Sequence, residues 1–221
     1  MISRFCLASS AAAVAVAAAA AGSLFPRVGM SASPEGEPVR FERATGVVAS
    51  AKELAVGELM PEVTLRDSRG GEFHLGDLRG KTVAVTFFYS RCTAAAFCPL
   101  VGRKFDAAQA LLRRVPFGQN CHLLSISLDP QRDTPEMLAA YAQGYQADSG
   151  YWTFATGNYE DIRKLGDAVG LEYKRVGDRI DHNLRTVIVD AGGRIRRVFR
   201  GDDWMPQELV AELGATARRY R

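Results

Sequence analysis

The stretch that decides the fold is TVAVTFFYSRCTAAAFCPLVGRKFDAAQALL, residues 82–112. Its first eight residues, 82–89, are mainly β-branched and aromatic and carry no charge, which is typical of a strand buried on both faces of a sheet. After Pro99, apolar residues recur at helical spacing as far as Leu112. Cys92 and Cys98 therefore lie between the carboxyl end of a buried strand and a helix, where open α/β folds place their functional sites.

Strand and helix patterns alternate along the rest of the chain. Strands are predicted at 62–66, 72–75, 82–89, 122–128, 151–155, 185–190 and 194–200, and helices beginning at Pro99, Pro135, Tyr159 and Pro206. This order predicts an α/β sandwich with a mostly parallel central sheet, an antiparallel C-terminal hairpin and an N-terminal β-hairpin extension.

The N-terminal region differs in composition from the remainder. Residues 1–25 combine one early positive charge with an uncharged run in which 11–21 are only Ala and Val. This pattern predicts a secretory signal peptide or an N-terminal membrane anchor, and cleavage is favoured because alanine is weakly hydrophobic. Residues 26–45 have the composition of a flexible linker, and residues 46–221 form the predicted domain. We expect export to the periplasm or to the outer face of the inner membrane.

The charge of the chain argues against a nucleic-acid-binding function. The formal net charge is only +3, and no basic stripe stands out. The densest basic run, at residues 194–200, alternates with apolar positions. This alternation favours the solvated face of a strand over a binding patch.

The two cysteines of the opening stretch are candidates for thiol or metal chemistry. A helix N-terminus stabilises a thiolate, and Cys98 is expected at the N-cap, so its sulfur should be affected most. Two thiolates on one short loop form a disulfide or bind a soft metal ion. An inert structural disulfide is the alternative, although so short a loop would contribute little chain-entropy stabilisation. Cys121 is expected to be a buried, unpaired thiol.

Among the three histidines, His182 is the candidate ligand. It lies in an expected loop just before the strand at 185–190, which leads into the same sheet as the cysteines. His74 and His122 are interpreted as structural. Asp129 and Asp133 follow a strand at the same edge, where they would orient the site or contact a partner. Alternatively, Asp133 and Thr134 initiate the next helix, with Thr134 as its N-cap, and this capping role is favoured.

These motifs together resemble the Sco/SenC family across roughly residues 57–215. The resemblance rests on FFYSRC at 87–92, CPL at 98–100, SISLDPQRDTP at 125–135, DH at 181–182 and VIVD at 187–190. It implies a thioredoxin-like fold, a copper ion bound as Cu(I) by Cys92, Cys98 and His182, and a role in assembling the CuA centre of cytochrome c oxidase. The implied partners are a copper-accepting protein, cytochrome c oxidase subunit II, and a thiol reductant protein.

The spacing of the cysteines departs from the family pattern. Five residues, 93–97, separate Cys92 from Cys98, where the family motif has three. We expect the extra residues to bulge outward, so that both sulfurs still reach one metal ion.

Two functions remain open at this stage. A copper(I) metallochaperone needs no turnover and therefore need not be an enzyme. A periplasmic thiol–disulfide oxidoreductase would use Cys92 and Cys98 as its catalytic redox pair. The stretch Asp181–Leu184 has a histidine and no proline where thioredoxin-like reductases carry a substrate-docking proline, which favours the metal. A scaffold with a structural disulfide would leave His182 without a role.

Overall fold

The computed structural model describes residues 53–220. The predicted signal peptide or anchor, the whole predicted linker and residues 46–52 of the predicted domain lie outside these residues. The strands are β1 (Thr64–Asp67), β2 (Glu72–His74), β3 (Thr82–Phe88), β4 (Cys121–Ser127), β5 (Trp152–Gly157), β6 (Tyr173–Val176), β7 (Arg179–His182), β8 (Arg185–Val189) and β9 (Ile195–Arg200). The helices are α1 (Cys98–Leu112), α2 (Pro135–Gly144), α3 (Tyr159–Ala168) and α4 (Pro206–Arg219).

Seven of the strands form one mixed sheet in the order β2-β1-β5-β4-β3-β8-β9. Its centre is parallel, with β3 beside β4 and β4 beside β5. Antiparallel hairpins extend it on both sides, β1–β2 next to β5 and β8–β9 next to β3. The predicted α/β class, the parallel centre and both hairpins are confirmed.

The central strands form because their side chains are buried on both faces. Every residue of β3 and of β4 is buried, as the uncharged run at 82–89 predicts. Helices α1 and α4 pack on each other and against β3 and β4, while α2 and α3 contact β5. Within the described residues, no helix is long and apolar enough to cross a bilayer. Since β3 and β4 are parallel, the segments that follow them emerge at one edge of the sheet.

A second, two-stranded sheet lies apart from the main one and was not predicted. Strands β6 and β7 pair antiparallel, with Tyr173 opposite His182 and Val176 opposite Arg179. The turn between them is Gly177-Asp178, with Gly177 at φ 59°, a conformation that suits a two-residue hairpin turn. His182 is therefore the last residue of a strand, which corrects the expectation that it lies in a loop.

The arginines of β9 form ion pairs, in keeping with a solvated strand face. Arg196 contacts Asp190 at 2.5 Å, Arg197 contacts Glu208 at 2.6 Å, and Arg200 contacts Glu53 at 2.5 Å. The charges of these three arginines are thus matched by acidic neighbours.

Candidate metal centre

Cys92 and Cys98 lie on either side of a short loop that follows β3. Cys98 is the first residue of α1 and Phe97 occupies the N-cap, so the predicted helix start is wrong by one residue. Residues 93–96 are exposed, and a turn closed by Phe97 N–H donating to Ala94 O at 2.9 Å shortens the loop. The extra residues of the longer spacing therefore bulge into solvent, as expected.

The structure brings the three predicted ligands together. Cys98 Sγ lies 3.3 Å from His182 Nε2, and both residues are buried. The Cys92 and Cys98 thiols are close enough that each shifts the pKa of the other. Cys98 is thus the central residue, with the imidazole on one side and the half-buried Cys92 on the other.

The imidazole of His182 is held in one orientation. Its Nδ1–H donates to the backbone carbonyl of Asn183 at 2.8 Å, which leaves the lone pair of Nε2 directed toward Cys98. Burial lowers the pKa of His182, because a charged imidazolium loses its hydration there. A neutral ring with an orientated Nε2 is the form in which histidine binds metal ions.

The two thiols are electrostatically unequal. A hydrogen bond from the Cys98 thiol lowers the pKa of Cys92 to about 6, and the backbone N–H groups of Cys98 and Ala94 act in the same direction. The same bond, together with burial, raises the pKa of Cys98. Backbone N–H groups also act to lower the pKa of Cys98, but the neighbouring Cys92 and burial outweigh them. The direction of the Cys98 shift is therefore opposite to the expectation that the helix N-terminus activates this sulfur most.

Two aromatic side chains enclose the imidazole. The rings of Tyr89 and Phe97 lie edge-on to His182, with centroids 6.1 and 6.4 Å away. Burial, and after it the neighbouring Cys92, raises the pKa of the Tyr89 hydroxyl to about 12. Sequence reasoning missed Tyr89 as a site residue. It could have been found from its position, because it ends the predicted buried strand three residues before Cys92.

Asp133 anchors the cysteine loop and does not cap α2. It accepts a hydrogen bond from Ser90 N–H at 3.0 Å and further bonds from the hydroxyls of Ser90 and Ser127. The cap of α2 is Thr134, whose hydroxyl accepts from Met137 N–H at 3.4 Å. The expected N-cap Thr134 is therefore confirmed. Asp133 takes no part in the cap, and its carboxylate instead ties the chain beyond β3 to β4.

The other histidines and Cys121 lie away from the cluster. His74 is exposed and pairs with Thr64 at 3.2 Å, while His122 is buried against Thr153 at 2.9 Å. Cys121 is a buried free thiol at the first residue of β4, and this end of the strand faces the opposite sheet edge. The expectation of a buried, unpaired Cys121 is confirmed.

The donor set suits a thiophilic metal ion. Thiolate and imidazole ligands bind Cu(I) and also Zn²⁺, and bonds of about 2.0–2.3 Å place two donors of one metal roughly 3–4 Å apart. The separation of Cys98 Sγ from His182 Nε2, 3.3 Å, falls in that range. Across residues 53–220, no group of three or more His, Cys, Asp and Glu side chains has the full spacing of a formed metal site. Two donors are therefore preformed, and Cys92 stands beside them on the exposed loop.

Fold and site define the class: an α/β protein with a paired-thiol and imidazole cluster at the carboxyl end of its central strands. Comparison with known proteins gives the family. The SCO1/SenC family profile matches residues 52–218, and the chain belongs to this family.

Individual relatives agree with this assignment. An SCO2-like protein of Rickettsia felis is 27% identical over 156 residues, which is 67% of this chain and 72% of that protein. The structure of Arabidopsis thaliana ScoI with copper bound superposes with a TM-score of 0.64 at 20% identity, covering 74% of this chain and all of that one. BsSco, described as having a disulfide switch and as a member of the Sco family of cytochrome c oxidase assembly proteins, gives 0.62 at 20% identity, covering 76% and 98%. The thioredoxin-like fold is thereby confirmed.

Proposed function

We propose that this protein is an exported copper(I) metallochaperone that binds its cargo through Cys92, Cys98 and His182. The observation that carries the proposal is the 3.3 Å contact between Cys98 Sγ and His182 Nε2, made by an imidazole whose other nitrogen is already bonded. A structural disulfide would not need a neutral, orientated histidine against one of its sulfurs. Membership in a family with copper-bound structures supports the choice of metal.

Each ligand has a distinct part in this function. Cys98 and His182 are buried, and they form a rigid half of the site. Cys92 is half-buried at the edge of an exposed loop, and its low pKa supplies a thiolate near neutral pH. Three ligands leave Cu(I) coordinatively unsaturated, so an incoming thiolate of an acceptor can bind before a ligand of this chain leaves. The exposed side, at Cys92, is where we expect that exchange.

A Cu(I) titration of the reduced protein tests the proposal. Wild type should bind about one Cu(I) per chain in competition with a chromogenic chelator. His182→Ala should weaken binding by about tenfold or more, since ligand loss costs at least as much as the loss of an outer partner. His74→Ala, which changes an exposed histidine outside the cluster, is the matched control. Equal affinity in wild type and His182→Ala would exclude the three-ligand site.

The acceptor is proposed to be the CuA site of cytochrome c oxidase subunit II, with a thiol reductant protein keeping the cysteines reduced. The family of BsSco is described as cytochrome c oxidase assembly proteins. The Ala-rich leader favours the periplasm or the outer face of the inner membrane as the location of this chain. Two equivalents of the Cu(I)-loaded protein should transfer their copper to the reduced, metal-free soluble domain of subunit II. Removal of one electron from that product by an added one-electron oxidant should then produce the visible absorption of a mixed-valence CuA centre. Retention of copper by the donor under these conditions would refute this acceptor.

A thiol–disulfide oxidoreductase is the second candidate, because the thiols are arranged as an accessible thiolate beside a buried partner. In that reaction the Cys92 thiolate attacks a partner disulfide and forms a mixed disulfide, and Cys98 then displaces the partner. Two electrons and two protons pass to the partner as Cys92 and Cys98 become a disulfide. Cys92→Ser and Cys98→Ser should each abolish this activity, whereas His182→Ala should leave most of it. The effect of His182→Ala therefore separates the two functions: Cu(I) binding should be weakened, whereas disulfide reduction should be largely retained.

A further inference from the structure

We infer that an ionic clasp between Asp129 and Arg175 holds the β6–β7 hairpin over the cysteine pair and thereby positions His182. The inference rests on the proposed copper site, whose third ligand is carried by this hairpin. It assigns a positioning role to Asp129, Arg175 and their neighbours, none of which belongs to the ligand set.

The hairpin needs such an attachment because it is not part of the main sheet. Its two strands pair only with each other within the described residues. Backbone bonds secure its base, where Asn183 N–H donates to Glu172 O at 3.0 Å. The remainder of the hairpin depends on side chains for its position relative to Cys98. Any loosening there moves His182, the last residue of β7, away from the sulfur.

Asp129 supplies the attachment point. It follows β4 at the same sheet edge as the cysteine loop, and its side chain is only 1% exposed. One carboxylate oxygen contacts the Arg175 guanidinium of β6 at 2.5 Å, and the other lies 3.6 Å from Arg132. A buried carboxylate without a cation would be costly, so the position of Asp129 favours the closed hairpin.

Arg132 extends the same contact to the hairpin tip. Its guanidinium bridges the buried Asp129 and the turn residue Asp178, which it contacts at 2.8 Å. The clasp therefore joins two residues of the β4–α2 connection, Asp129 and Arg132, to two of the hairpin, Arg175 and Asp178. Charges alternate across it, so each residue faces an opposite charge.

The hairpin also contains an ion pair that offers a matched control. Arg179 contacts Asp181 at 2.7 Å, and both residues belong to β7. Removing this pair deletes an arginine from the hairpin without cutting a contact to the β4–α2 connection. Arg175→Ala and Arg179→Ala therefore differ in whether the clasp is opened.

The first measurement is Cu(I) affinity in a double-mutant cycle. Arg175→Ala should raise the Cu(I) dissociation constant by about 10- to 100-fold, the usual effect of losing a residue that orientates a ligand. Arg175→Lys should recover most of the affinity, because a point charge still reaches Asp129. Arg179→Ala should stay within about twofold of wild type. In a His182→Ala background, Arg175→Ala should have no further effect, because it acts through His182.

The second measurement needs no copper and separates this inference from the proposed function. Hydrogen exchange of the reduced apoprotein should be faster across residues 173–182 in Arg175→Ala than in wild type or Arg179→Ala. If wild type binds no Cu(I), the proposed function fails, and the exchange data still decide whether the clasp exists. Unchanged exchange in Arg175→Ala overturns the inference. The inference is also overturned if Arg175→Ala lowers Cu(I) affinity equally in the wild-type and the His182→Ala backgrounds, since a general charge effect would then explain the loss.

Discussion

Replacing Asp133 with alanine should destabilise the domain by about 3–5 kcal/mol. The carboxylate is buried and accepts three hydrogen bonds, from Ser90 N–H, from the Ser90 hydroxyl and from the Ser127 hydroxyl. Ser127 is fully buried, so its orphaned hydroxyl costs about 1–3 kcal/mol. Ser90 is partly exposed and regains water, so each of its two bonds contributes about 1 kcal/mol.

Urea unfolding followed by circular dichroism measures this loss, and the thermal midpoint should fall by about 10 °C for a domain of this size. Asp133→Asn keeps the shape and part of the bonding, so its loss should be smaller, about 1–2 kcal/mol. Asp203→Ala, which removes an exposed aspartate, should change stability by no more than about 0.5 kcal/mol. A loss below about 1 kcal/mol in Asp133→Ala would refute the anchoring role derived from these bonds.

Three further predictions test the core and the buried titratable groups. Burial lowers the pKa of His122 to about 4, so the unfolded chain binds more protons than the folded protein between about pH 4 and pH 6.5. The free energy of unfolding should therefore decline by about 2–3 kcal/mol as the pH falls from about 6.5 to 4. His122→Gln should remove that part of the pH dependence in urea titrations, and His74→Gln should not. Burial raises the pKa of Cys121 to about 12, so peptide mapping after alkylation at pH 8 should find Cys92 labelled and Cys121 protected until the protein unfolds. Rapid native labelling of Cys121 would contradict its placement. Leu124→Ala, at a fully buried position of β4, should cost about 2–5 kcal/mol in the same unfolding assay, and a loss under about 1 kcal/mol would show that the strand is not central.

Much of the fold was predictable because its signals are local. The uncharged run at 82–89 and the proline-initiated helices are patterns of neighbouring residues, and the structure has them within a few positions. The β6–β7 hairpin was also readable from its Gly177-Asp178 turn, a recognised two-residue hairpin signal. It was missed because β6 is mostly polar and exposed. Strand β7 alternates in burial, but it has only four residues and a single apolar side chain, Ile180.

The residues of the candidate site could be predicted from the sequence, whereas the protonation properties of its thiols could not. Cys92, Cys98 and His182 could be named from motif and position, and the structure places their side chains together. Which sulfur has the lowered pKa could not be predicted from helix position, since it depends on how deeply each sulfur is buried and on the interaction of the two thiols with each other. The roles of Tyr89 and Asp133 likewise depend on contacts across the sheet edge.

The sequence by itself determined the order of the main-sheet strands and of the helices, the thiol pair at a strand–helix junction and the one histidine proposed to join it. Hydrophobic periodicity and short-range turn chemistry encode these features, because they act between residues close in the chain. Only the tertiary structure decided that His182 lies against Cys98, which is 84 residues away, and that Asp129 reaches Arg175 across the hairpin. Such contacts depend on strand order and packing, which place distant segments at one edge of the sheet and set the burial that controls their charge.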